Sequence, residues 1–313
     1  MKIVFLDVST MGNIPNLAQL KRFGELVTFD TTSPNQLEER IREAEIIITN
    51  KVVISREAMD KAPQLRLICI SATGTNNVDM AYAAQKGIAV KNVIGYSTHS
   101  VAQVTFTLIL TLLNHPSYYD TFVKSGGYAQ SPIFTHLDRP FWQLPGKRLG
   151  IIGLGNIGKQ VAIIAKAFGM EVVYYSASGH NTDQTYERLD LDELLSTSDI
   201  VSIHAPLSDK TAGLLDYDKI CRLKPTALLI NTSRGGIIRE ADLARALNEN
   251  RIAGAGLDVF EQEPILPSNP LLSIQEPDKL VLFPHIAWAS IEARTLLMDK
   301  VCQNIEAFQR ENK

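Results

Sequence analysis

The chain has 313 residues, a length at which a single hydrophobic core tends to divide, so two domains are expected. Hydrophobic residues make up 45% and charged residues 21%, ordinary for a globular chain. The net charge of −3 argues against a nucleic acid or an anionic membrane surface as partner. Cys69, Cys221 and Cys302 are far apart and lack any CxxC or Cys/His spacing, which argues for free thiols in a reducing compartment and against a metal site.

The N-terminal run MKIVFLDV reads as a strand rather than a secretory signal. Short apolar, β-branched runs then alternate with helical patterns. Strands are predicted at Lys2–Phe5, Leu26–Phe29, Ile46–Ile48, Leu67–Ile70 and Ala89–Lys91, with helices at Asn16–Phe23, Pro34–Glu43 and Ser55–Lys61. A long buried helix, Ser100–Leu113, follows. Its apolar core is interrupted by Gln103, Thr105, Thr107 and Thr111 and is too short to span a bilayer. The expected location is cytoplasmic. Residues 118–145 show no clear period and read as loop with a short helix. A second group of strands runs Arg148–Ile152, Glu171–Tyr175, Ile200–Ile203, Ala227–Asn231, Ala253–Leu257 and Leu280–Phe283, with helices at Ile157–Ala167, Glu240–Glu249 and Ile291–Arg310. Alternation of this kind predicts an α/β chain with parallel sheets covered on both faces.

The second group opens on LGIIGLGNIGKQVA, which places Gly153, Gly155 and Gly158 between a strand and a helix. The first glycine allows the tight turn, the second lets backbone approach a pyrophosphate, and the third permits close helix–strand packing. The helix N-terminus adds N–H groups and a positive dipole end for the phosphates. Dinucleotides are usually gripped further on by an acidic residue at the end of the next strand, which holds the ribose hydroxyls. Here that position is Ser176, so nothing repels a 2′-phosphate, and His180 lies close by in sequence. No Arg follows directly to grip one. NAD is the expected cofactor, with NADP open.

Three segments follow the later strands: NTSRGG (231–236), GLDVFEQEP (256–264) and PHIAWAS (284–290). Loops at the carboxyl ends of strands line the ligand crevice of an open α/β sheet, so Arg234, Asp258, Glu263 and His285 are expected to converge. An Arg fork grips a carboxylate or polarises a carbonyl. A His passes a proton to or from an oxygen. A Glu bonded to that His fixes its tautomer and supports the imidazolium that ketone reduction needs. The set predicts hydride transfer coupled to proton transfer, with no metal or covalent nucleophile.

These motifs, together with ATGTNNVD (72–79), residues 92–110 and HAPL (204–207), resemble the D-isomer-specific 2-hydroxyacid dehydrogenases over nearly the whole chain. The resemblance implies two Rossmann-like, doubly wound domains. An NAD(P)-binding domain at 99–286 would be inserted into a flavodoxin-like substrate domain formed by 1–98 and 287–313. It also implies a homodimer. Arg234 would bind and polarise a 2-keto acid, His285 would act as acid/base and Glu263 would pair with it. Asn156 and Ile157 would lie over the pyrophosphate, Ser176 near the adenosine ribose, and Ala205, Pro206, Thr232, Ser233 and Asp258 along the cofactor. Backbone around Thr73 and Gly74 would hold the substrate carboxylate. The PHIAWA segment and Asn50–Val52 look most like glycerate dehydrogenases, also called hydroxypyruvate reductases. Trp288 and Lys51 are then specificity candidates, against the alternatives that Trp288 packs a hinge and Lys51 is solvated. D-lactate or phosphoglycerate dehydrogenases of the same family are alternatives, as is a non-catalytic NAD-sensing corepressor.

Overall fold

A computed structural model describes residues 1–312. The chain forms two compact units: Met1–Ser97 with Trp288–Lys313, and Thr98–Ala287. The second unit is therefore an insertion into the first.

The first unit contains β1 (Lys2–Phe5), β2 (Glu25–Thr28), α1 (Pro34–Ile41), β3 (Ile46–Thr49), α2 (Arg56–Asp60), β4 (Leu67–Ile70), α3 (Met80–Gln85) and β5 (Ala89–Lys91). Its strands are all parallel in the order β2-β1-β3-β4-β5. This is the flavodoxin-like order. The inner strands are uninterrupted apolar runs such as IIIT and LICI because both of their faces are covered. Side chains alternate across the sheet. Ile3, Phe5, Ile46 and Ile48 enter one core, while Val4, Leu6, Ile47 and Ile68 enter the other with Leu37, Ile41, Met59 and Ala83 from α1–α3.

The helix expected at Asn16–Phe23 is instead a 3-10 helix, Leu17–Phe23. Three residues per turn put Leu17, Leu20 and Phe23 on one line, and all three join the first core. Packing of this row outweighs the looser α spiral, in which they would fan out.

The second unit contains α4 (Thr98–Asn114), α5 (Pro116–Lys124), β6 (Arg148–Ile152), α6 (Asn156–Ala167), β7 (Glu171–Tyr175), β8 (Glu187–Arg188), α7 (Leu191–Thr197), β9 (Ile200–Ile203), α8 (Tyr217–Ile220), β10 (Leu228–Asn231), α9 (Glu240–Asn248), β11 (Gly254–Leu257) and β12 (Leu280–Leu282). The strands are again parallel, in the order β12-β11-β10-β9-β6-β7-β8. The winding reverses between β6 and β9, and ligands of such sheets bind at that reversal, outside the carboxyl ends of the strands. One face packs on α4 and α6 and the other on α7–α9. Of residues 118–145, α5 takes the first part and a 3-10 turn takes Tyr128–Gln130. Beyond them Ile133, Phe134, Leu137 and Phe141 are exposed.

The last helix, α10 (Ile291–Glu311), returns to the first unit. Ser290 caps it by accepting the Ala293 N–H, and Leu297, Val301, Ile305 and Phe308 enter the same core as Ile3 and Phe5. Among the described residues no helix is long and apolar enough to cross a membrane.

Candidate active site

The glycine turn between β6 and α6 is shaped by close approach. Gly153 has φ +96°, and a Cβ there would lie 2.7 Å from the Ala205 nitrogen. A Cβ on Gly158 would lie 2.4 Å from the Gly153 carbonyl oxygen. Gly155 is different, because a Cβ there would meet nothing within 4 Å. Its missing side chain opens a face of the turn rather than relieving a clash. No side chain caps α6, which starts at the exposed Asn156 with Ile157 half-buried behind it. Open space beside uncapped helical N–H groups suits a dinucleotide pyrophosphate. Ala205 is buried against this turn, and Pro206 after it is exposed.

Ser176, at the end of β7, is buried, and its Oγ accepts the Asn181 N–H at 3.2 Å. The absence of an Arg beside it holds for the loop but not for the fold. Strand β8 pairs with β7 and brings Arg188 back to that loop, where Nη1 donates to the Gly179 and Asn181 carbonyls at 3.4 and 3.3 Å.

Arg234 sits on the turn after β10, and Asn231 organises that turn. The buried Asn231 side chain accepts from the Ser233 N–H at 3.0 Å and the Ser233 hydroxyl at 2.9 Å, and donates to the Arg234 carbonyl at 2.9 Å. Thr232 is buried with its hydroxyl 3.1 Å from that of Thr105 on α4. Neither Asn231 nor Thr105 stands among the sequence candidates. The Asn-x-Ser spacing of an Asx turn could have flagged Asn231; Thr105 is close only through packing. A Cβ on Gly235 would lie 1.7 Å from the Phe260 carbonyl oxygen. The Arg234 turn therefore lies directly on the backbone that leads to Glu263, and only glycine permits it.

Glu263 and His285 are directly paired. His285 Nδ1 lies 2.6 Å from Glu263 Oε2, and Glu263 Oε1 accepts the Phe260 N–H at 3.1 Å. Both side chains are partly shielded, with 21% and 31% exposure for His285 and Glu263. The bond to Glu263 assigns Nδ1 as donor and directs proton exchange to Nε2. His285 has φ +54°, a left-handed conformation that non-glycine residues reach only when neighbours impose it. Asp258 supplies the constraint. Fully buried at the end of β11, it accepts the Ile286 N–H at 2.8 Å and the Ala287 N–H at 2.9 Å. Burial pushes its carboxyl above the usual range, against the pull of those two N–H groups and of nearby His285. Ser100 also donates to the Ala287 carbonyl at 2.6 Å. Asp258 therefore grips the backbone beside His285.

His204 also lies at a strand end, in a less polar setting. Burial pushes its imidazole down to about 3, and Ser202 Oγ lies 2.8 Å from its Nε2.

Lys51, Thr73, Gly74 and Trp288 belong to the first unit. Thr73 donates its hydroxyl to the Val93 carbonyl at 2.9 Å, and Asn92 donates to the Thr73 carbonyl at 2.6 Å, which braces the Thr73–Gly74 loop. Trp288 packs on the core of this unit, edge-on to Tyr96 at a centroid distance of 6.3 Å. Lys51 lies on the loop after β3, exposed, beside a cavity of about 610 Å³ lined also by Thr32, Leu37, Val53 and Lys61. That loop is held by Asp7, which the sequence reading missed. Asp7 accepts N–H bonds from Asn50 at 2.9 Å, Lys51 at 2.7 Å and Val52 at 3.4 Å. Burial raises its carboxyl while these bonds pull it down.

Comparison with known proteins follows the same lines. Residues 106–287 match the family model described as D-isomer specific 2-hydroxyacid dehydrogenase, NAD binding domain. A hydroxypyruvate reductase of Blautia hydrogenotrophica is 39% identical over 98% of this chain and 97% of its own length. A glycerate dehydrogenase of Methylorubrum extorquens is 35% identical over 98% of this chain and 96% of its own. An NADPH-dependent glyoxylate/hydroxypyruvate reductase of Sinorhizobium meliloti, solved with NADP and malonate, superimposes with a TM-score of 0.81 at 28% identity, covering 98% of this chain and 93% of that one. The chain belongs to the D-isomer specific 2-hydroxyacid dehydrogenase family, carries its NAD-binding domain and is an NAD(P)-dependent oxidoreductase.

Proposed function

We propose that the chain reduces small 2-keto acids, hydroxypyruvate and glyoxylate foremost, to D-glycerate and glycolate. The observation that carries this reading is the 2.6 Å His285–Glu263 pair, held at the strand ends of the NAD-binding domain by the grip of Asp258 on the next two amides. The dinucleotide, when bound, supplies the hydride. His285 Nε2 gives the proton to the developing C2 alkoxide, and Glu263 stabilises the ring while it carries that proton. Arg234 grips the carboxylate and polarises the C2 carbonyl with its planar fork. Gly153, Gly155, Asn156, Ile157 and Gly158 hold the pyrophosphate, Ser176 borders the ribose, and Ala205, Pro206, Thr232 and Ser233 line the cofactor path, with Asp258 fastening its edge. On the first unit, the reading gives the substrate carboxylate to backbone at Thr73 and Gly74, and substrate choice to Lys51 and Trp288.

The same reading makes the protein a cytoplasmic homodimer that pairs through its nucleotide domain. The exposed Ile133, Phe134, Leu137 and Phe141 supply an apolar patch for a second copy. Light scattering on the purified protein should give twice the chain mass; a monomer would remove the dimer from the reading.

The decisive experiment is an initial-rate assay of hydroxypyruvate, glyoxylate, pyruvate and a bulky aromatic keto acid with NADH and NADPH. Hydroxypyruvate and glyoxylate should give the highest kcat/KM. Binding of dinucleotide without reduction of any 2-keto acid would sink the enzymatic reading. Highest kcat/KM for pyruvate would turn it toward a D-lactate type.

A further inference from the structure

The loop after β7 has no acidic residue from Ser176 to Thr182. The first carboxylate beyond it, Asp183, is neutralised by Lys159 at 2.7 Å. The loop is also ordered by its own bonds. Ser176 accepts the Asn181 N–H, the Ser176 carbonyl accepts the Gly179 N–H at 3.0 Å, and Asn181 Nδ2 donates to the Leu154 carbonyl inside the glycine turn at 2.6 Å. Asn181 thus ties the loop to the phosphate cradle. Ser178 and His180 are exposed on it.

Arg188 closes this loop from the side. Its two bonds to the Gly179 and Asn181 carbonyls lie at the long end of hydrogen-bond range. Among the described residues no carboxylate lies within ion-pair distance of it. Its neighbour Glu187 alternates to the opposite face of the strand and adds to the field of Arg148, whose guanidinium is held up first by its bond to Glu171. A guanidinium held on weak neutral contacts to a loop that carries an exposed hydroxyl and an exposed imidazole, with no carboxylate among the described residues within ion-pair distance, matches a phosphomonoester dianion.

We propose that Arg188, with Ser178 and His180, forms a subsite for the ribose 2′-phosphate, so that the chain uses NADPH in preference to NADH. The sequence alone favours NAD and leaves NADP open; this proposal takes the open alternative. It rests on the dinucleotide reading of the glycine turn but not on the identity of the keto acid.

Fluorescence or calorimetric titration of the full-length protein with NADPH and NADH tests it independently of turnover, with 2′,5′-ADP and 5′-ADP as fragment probes. NADPH should bind roughly ten- to a hundred-fold more tightly than NADH, the worth of charge-assisted bonds to the added phosphate. 2′,5′-ADP should outbind 5′-ADP in the same sense. Arg188→Ala should lower the NADPH:NADH preference by about ten-fold. Ser176→Asp should move the preference toward NADH by repelling the 2′-phosphate, and thermal melts check that both variants fold. Equal binding of the two dinucleotides, or a preference unmoved by Arg188→Ala, would overturn the subsite. Failure to bind either dinucleotide would overturn the reading of the glycine turn itself, and with it this proposal.

Discussion

Asp7 in the first unit and Asp258 in the second are built alike and placed in different company. Each follows a strand of a parallel sheet, each is buried, and each is pushed toward its neutral form by burial. Both spend their oxygens on backbone N–H groups of the segment after a spatially adjacent element. Asp7 binds three successive amides of the 50–52 loop. Asp258 binds two amides immediately after the left-handed His285. A carboxylate accepting several N–H bonds makes a loop rigid, so chemistry on that loop inherits the precision. In the second unit the precision serves His285, the proposed proton donor. In the first it serves a loop carrying one exposed lysine.

His285→Ala removes the proposed proton donor and should lower kcat by about 10²- to 10⁴-fold, the usual worth of a general acid, while dinucleotide affinity stays within a few-fold. A near-normal kcat would take His285 out of the reaction. Asp258→Asn keeps the shape but points an NH₂ at one of the two amides. It should destabilise the protein by about 1–3 kcal/mol, and lower kcat by about ten- to a hundred-fold through misplacement of His285. Thermal melts and steady-state kinetics measure the two effects. A loss of stability with kcat intact would show that the grip does not position the donor.

Asp7→Asn should cost a similar about 1–3 kcal/mol of stability but affect function differently. It should raise KM for the keto acid several-fold, with kcat and dinucleotide binding little changed. Unaltered KM would take the 50–52 loop, and Lys51 with it, out of substrate recognition. Glu249 provides the smallest effect and a contrast, as an exposed carboxylate. Bonds from Tyr217, then Arg245, hold it down to about 2. A depressed carboxylate contributes stability above its unfolded pKa near 4.5 and loses it as pH falls through the folded value. Wild type should therefore melt slightly above Glu249→Gln at pH 7, with the two curves converging between about pH 4.5 and pH 2. A gap that persists at the acid end would deny that the charge is responsible.

Much of the fold was legible before any coordinates. Short, mostly apolar and β-branched runs such as IIIT, LICI and IVSI, alternating with helical patterns, read as parallel strands covered on both faces, and their ends were placed to within a residue. The glycine turn was legible because its three glycines follow a strand and open a helix; Gly153 and Gly158 answer close approaches, and Gly155 leaves a face open. Glu263 and His285 were legible as chemistry at strand ends, and their meeting follows from strand order. The 3-10 form of Leu17–Phe23 was not, because an amphipathic row at spacing three also fits a helix until its packing partner is known. Strand β8 was invisible for a different reason. Two charged or polar residues, Glu187 and Arg188, carry no apolar signal, and only the free edge of β7 recruits them.

By itself, then, the order of residues determined what repeats locally: strand and helix periods, the glycine turn, and the types of side chain available at each strand end. Which of those side chains touch was decided by tertiary structure. Asp7 reaches the 50–52 loop because β1 and β3 are neighbours in the sheet, although 43 residues separate Asp7 from Asn50. Asp258 reaches Ile286 and Ala287 because β11 lies beside β12. Arg188 reaches the loop after β7 because β8 pairs there. Local pattern follows from backbone periodicity, whereas these contacts follow from strand order, which closes long loops and leaves no mark in the intervening residues.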